Sequence, residues 1–171
     1  MLLSIALLFG VLPPAFSVGD TLPVLKGESL NGKSIELPVA AQGKVALLVL
    51  GFSHDSQVAV EGWTKRFRTD FEADQRARFY EIRMVGGLKV MAKPLIEGGI
   101  RKDTQGEDYA HVITVFGGTG FWKDRLRFRN EKDAYLILLG QEGVIRWVAH
   151  GFVSEAKYAE LAAEVRRLLG K

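Results

Sequence analysis

The sequence predicts an α/β fold of three layers: a mixed central sheet flanked by helices, entered by an N-terminal β-hairpin and interrupted by a middle insertion. Three observations predict it. Val45–Phe52 (VALLVLGF) is an unbroken apolar run of strand length, which marks a strand buried on both faces of a sheet. Val60, Trp63, Phe67 and Phe71 follow at steps of three and four. They share one helix face, with Glu61, Lys65, Arg66, Arg68 and Glu72 on the rest of the circumference. In Phe79–Val85, Tyr80, Ile82 and Met84 alternate with Phe79, Glu81 and Arg83, the period of a strand. A strand–helix–strand unit pairs its strands in parallel through a right-handed crossover.

The remaining elements follow in chain order. Residues 1–17 carry no charge, ten of the first twelve are apolar, and Pro13-Pro14 stops any helix there. Twelve apolar residues are too few to span a bilayer, which takes about 20. With Ala15-Phe16-Ser17 placing small residues where a signal peptidase reads, they fit a signal peptide or short apolar leader over 1–17, and one domain over 18–171. No Lys or Arg precedes the run, and a buried N-terminal strand or helix is the other reading. Leu30-Asn31-Gly32-Lys33 between β-prone pieces signals the hairpin. After Val85, Leu88, Met91, Leu95 and Ile96 suggest a short helix weakened by Pro94 and ended by Gly98-Gly99. His111–Phe116 is a further strand. Tyr135–Leu139, a Gln141-Glu142-Gly143 turn and Val144–Val148 form a late hairpin. Ser154 caps a last helix whose apolar stripe is Tyr158, Leu161, Ala162, Val165 and Leu168.

Composition narrows the function classes. The 171 residues are 47% apolar and 25% charged, which excludes disorder and a polytopic membrane protein. A net charge of +3 gives no nucleic-acid signature. There is no cysteine, and so no disulfide, thiolate nucleophile, iron–sulfur cluster or cysteine zinc site.

Several segments resemble the thioredoxin-like superfamily. Val18-Gly19-Asp20 with Pro23, Leu30–Lys33, and Gly43-Lys44 before the apolar strand look like the entry of peroxiredoxin-type and Sco-type members. Asp133–Trp147 looks like their late hairpin. Gly51-Phe52-Ser53-His54-Asp55-Ser56-Gln57-Val58-Ala59 is similar to the Sco-type stretch in which a Gly-Phe-Thr-His lead precedes two cysteines separated by three residues. The resemblance puts Asp55 and Ala59 at the two cysteine positions, so Ser53, His54, Asp55 and Ala59 form a degenerate active-site position. It implies that thiol chemistry and Sco-type copper binding are absent. Val144-Ile145-Arg146-Trp147 followed by Gly151, with the basic stretch Arg125–Asn130, resembles the mitochondrial ATP synthase assembly factors and their bacterial relatives.

Other constellations carry less. Ser53-His54-Asp55 cannot form an aligned nucleophilic triad from consecutive residues, whereas Ser53 or Asp55 can cap the helix that follows. His54, His111 and His150 offer an alternative metal site without local ligand spacing. Phe116-Gly117-Gly118-Thr119-Gly120-Phe121 mimics a dinucleotide turn, but the third glycine position holds Lys123. Trp122, Arg125, Arg127 and Arg129 combine an aromatic with cations, as protein-docking surfaces do. The sequence thus predicts a redox-inactive, exported, cofactor-free module that binds another protein, with no nucleic acid or dinucleotide, in the setting of a membrane-associated complex. The alternative is a cysteine-free enzyme or a His-ligated metal protein built around His54 and Asp55.

Overall fold

The computed structural model describes residues 14–87 and 109–171. The helix expected from Leu88 to Ile96 and residues 1–13 of the expected leader lie outside the described residues. Strands β1 (Leu25–Ser29) and β2 (Ser34–Leu37) form the predicted hairpin, with Leu25 opposite Leu37. Gly32 turns the chain at a φ of 82°. Strand β3 (Val45–Gly51) leads to helix α1 (Gln57–Phe71) and strand β4 (Ala77–Val85). Strand β5 (Val112–Phe116), helix α2 (Thr119–Arg125), strands β6 (Ala134–Leu139) and β7 (Ile145–Gly151), and helix α3 (Glu155–Leu169) complete the described elements.

Their sheet runs β2-β1-β5-β4-β3-β6-β7. β3, β4 and β5 are parallel neighbours, and the remaining pairings are antiparallel. β3 is an interior strand, between β4 and β6, and is buried at every residue. Val45, Leu47 and Val49 face one core, with Val60, Trp63 and Phe67 of α1 and Leu161 and Val165 of α3. Ala46, Leu48 and Leu50 face the other, with Phe16, Leu22, Trp122 and Leu126. The Trp63 indole donates to the Gly151 carbonyl at 2.9 Å, which locks α1 to the end of β7.

The structure moves some predicted ends. α1 begins at Gln57, three residues before Val60, where the predicted apolar stripe starts, because a 3-10 turn over His54–Ser56 feeds directly into it. β7 reaches Gly151, since Ala149, His150 and Gly151 keep pairing with β6 although His and Gly break the apolar pattern. Phe16 has joined the core: it packs on Trp122 at 5.6 Å between ring centroids, and its amide donates to the Arg125 carbonyl at 2.9 Å. The described folded unit therefore includes a ring just before the Ser17–Val18 boundary.

Candidate functional site

The site lies where β3 ends. Gly51 has no room for a side chain, because a Cβ there would stand 2.6 Å from the Ser56 hydroxyl. The close approach lets the chain turn at once from strand to helix. Ser53 is extended, with φ −149° and ψ 168°, and caps the turn by accepting from the Ser56 amide at 3.2 Å. Its own hydroxyl donates to the Glu131 carbonyl at 2.6 Å, fastening the loop before β6 to the start of the helix. That loop is held again by Tyr135, whose hydroxyl accepts from the Arg129 and Asn130 amides at 2.8 and 3.1 Å. Asp133 takes the His150 Nδ1 at 2.9 Å.

Capping is thus what Ser53 does, and no Ser–His–Asp relay forms. His54 and Asp55 are both exposed, with Asp55 in the first turn, where a carboxylate suits the positive helix end. Ala59 points inward and is 1% exposed.

The three histidines do not converge. His111 stacks on Phe79 at 4.8 Å, near the start of β4, and His150 stacks on Tyr135 at 5.7 Å while paired with Asp133. Among the described residues no three His, Asp or Glu side chains are grouped to hold a metal ion. The alternative metal site is corrected accordingly: separate elements and separate ring stacks keep these imidazoles apart.

The candidate partner patch is corrected as well. Trp122 is 5% exposed and sits in the core with Leu126, four residues on along the same helix face. Arg125 lies over the Phe16 ring at 4.5 Å and reaches Asp20 at 3.7 Å, so both side chains hold down the N-terminal segment. Arg127 and Arg129 remain on the surface. Arg127 closes α2 in the left-handed region at φ 52°, with the Phe128 amide on the Lys123 carbonyl and the Arg127 amide on the Asp124 carbonyl. Among the described residues the exposed large aromatics are instead Phe121 and Phe152.

A cleft of about 410 Å³ opens beside the α1 start. Phe52, Val60, Ile82 and Met84 form its apolar lining, and Ser53, His54, Gln57, Glu81, Arg83, Thr119 and Lys123 its polar one. Glu81 is 8% exposed and paired with the half-buried Arg83 at 2.8 Å, which gives the buried carboxylate its counter-ion. Gly86 permits the cleft's far wall, since a Cβ there would lie 2.4 Å from the Thr119 hydroxyl. Lys123 places its ammonium 4.4 Å from the Phe128 ring centre and 5.7 Å from that of Phe52. Phe52 in turn packs edge-on against Phe128 and Tyr135. Sequence reasoning did not select Glu81, Arg83 or Lys123 as site residues. Two opposite charges two apart in the apolar second half of a strand were the available signal for the first pair.

This arrangement of sheet, helices and turn is a thioredoxin-like fold, and solved structures agree. The chain is similar to the thioredoxin domain of a thiol-disulfide oxidoreductase from Bacteroides vulgatus, at 18% identity and a TM-score of 0.56, covering 88% of this chain and 99% of that one. A peroxiredoxin-like protein from Aquifex aeolicus matches at 17% identity and a TM-score of 0.54, over 92% and 90% of the two chains. BsSco, of the Sco family of cytochrome c oxidase assembly proteins, matches at 11% identity and a TM-score of 0.58, over 90% and 96%. The model of the ATP10 protein family matches residues 19–168, and the chain belongs to that family. No curated protein matches the sequence.

Proposed function

We propose that this chain is a redox-inert, exported module that binds another protein during assembly of a membrane complex. The observation that carries the reading is the end of β3. Asp55 and Ala59 stand at the positions that the Sco-like resemblance gives to cysteines, while the cap, the turn and the cleft around them are complete. A carboxylate and a methyl group cannot form a disulfide or reduce a peroxide, and no cysteine elsewhere could take over. Membership of an assembly-factor family supports the same direction. The uncharged apolar residues 1–12 support export, as a leader retained on the chain, since Phe16 belongs to the folded core.

Chemical cross-linking of cell envelopes followed by mass spectrometry tests the binding reading. A reproducible protein partner is expected, together with no thiol-dependent reduction of insulin or peroxide by the purified chain. Robust turnover, or an envelope free of adducts, would overturn it. Intact-mass measurement of the native protein tests export, and an intact Met1 in a cytosolic fraction would refute that part.

A further inference from the structure

We propose that the cleft beside α1 accepts a carboxylate carried by an extended segment of a partner polypeptide, with Lys123 as its counter-ion. This deepens the protein-binding reading and rests on it. Two cations line the cleft, and only one is committed. Arg83 is neutralised by Glu81 through two contacts to one oxygen, at 3.0 and 2.8 Å. The half-buried Lys123 ammonium meets ring faces of Phe128 and Phe52 and, among the described residues, no carboxylate. Ring faces stabilise an ammonium modestly and leave its three donors to solvent or to a ligand.

The cleft's surplus is therefore one positive charge, which matches one carboxylate. A phosphate dianion would leave excess negative charge next to buried Glu81. Phe52, Val60, Ile82 and Met84 supply the apolar wall that the methylene stem of a glutamate side chain would cover. The protein-binding reading on which this proposal rests makes the source of the carboxylate a polypeptide rather than a free small acid.

The test is a titration of the isotope-labelled full chain, followed by amide NMR shifts. The probes are the peptide acetyl-Ser-Leu-Glu-Val-Ser-amide, its Glu→Gln counterpart, and the blocked amino acid acetyl-Glu-methylamide. We expect millimolar or tighter binding of the glutamate peptide, mapped to Gly51, Ser53, Gly86, Thr119 and Lys123. The glutamine peptide should bind at least tenfold more weakly. Lys123→Met, which keeps the alkyl stem against Phe128, and Lys123→Gln should each remove that preference while retaining the wild-type spectrum elsewhere. No shift at millimolar peptide, equal binding of the two peptides, or shifts mapped to another face would overturn the proposal. Blocked glutamate binding as tightly as the peptide would overturn its polypeptide source. A cross-linked partner retained at full yield by Lys123→Met would overturn the carboxylate assignment while protein binding stood. Selective binding of the glutamate peptide without any captured protein would sink the broader reading instead.

Discussion

Replacing Trp122 by alanine separates a core residue from a docking anchor. An exposed anchor could be truncated at a cost within about 0.5 kcal/mol, as at most surface positions. The structure requires far more. Trp122 and Phe16 are 5% and 6% exposed and pack ring to ring at 5.6 Å, with Leu126 beside them. Truncating a buried aromatic to alanine costs about 3–5 kcal/mol, the lost transfer of the ring plus the cavity it leaves. The contact between two rings contributes about 0.5–1.5 kcal/mol beyond area burial. Trp122→Ala should therefore lower stability by about 3–5 kcal/mol, and Phe16→Ala by a similar amount. The double variant should fall short of the sum by about 1 kcal/mol, because the second truncation no longer breaks the pair. Urea denaturation of wild type, both single variants and the double variant measures all four corners. A Trp122→Ala cost below about 1 kcal/mol would refute the packing argument. Strict additivity would show that the N-terminal segment does not rest on α2.

Other expectations rest on separate parts of the molecule. Val49→Asp buries an unpaired charge between β3 and the two long helices, and should cost more than about 4 kcal/mol in the same assay; an unchanged midpoint would contradict the interior strand. Arg127→Gly should be more stable than Arg127→Ala by up to about 1 kcal/mol, since both remove the same side-chain contacts and only glycine occupies the left-handed region without steric cost, and equal stability would refute the strain. Hydrogen bonds from Arg76 and then Lys171 hold the Asp74 carboxyl well below the usual carboxylate range. A depressed carboxylate contributes stability that is present above its ordinary value near about 4 and lost as pH falls through the lowered one. The urea midpoint should thus decline only in acid, and Asp74→Asn should flatten part of that decline; an identical acid limb in the variant would count against the pairing. Burial first, and the hydrogen bond to Asp70 second, raise the Tyr158 hydroxyl above the ordinary tyrosine value, and burial raises that of Tyr80, so at least two tyrosines should titrate by absorbance at higher pH than free tyrosine, and Tyr158→Phe should remove one of them.

Much of the architecture was legible because period and burial coincide. The VALLVLG run is buried on both faces, and the helix stripes of α1 and α3 pack where their spacing puts them. Asn31-Gly32 sits in a true hairpin turn. The site was legible only as far as local chemistry reaches. Ser53 capping follows from its place before a helix, but its second bond, to Glu131, joins residues 78 apart and leaves no mark in sequence. Trp122 and Arg125 resemble a docking pair in sequence, because nothing local says that Phe16 will fold back onto them. His150 and Asp133 meet across β6 and β7 through a register that the pattern alone does not specify.

The account turns on whether the end of β3 meets another protein in the cell. A photo-cross-linkable amino acid placed at Val58, on the exposed first turn of α1, tests this directly, with Arg78 at the opposite end of the parallel strands as control. After irradiation of cells and mass spectrometry of the adducts, a discrete protein adduct from position 58 and none from position 78 is predicted. No adduct from position 58, or the same adducts from both positions, would contradict the claim that this end of the sheet is a docking site.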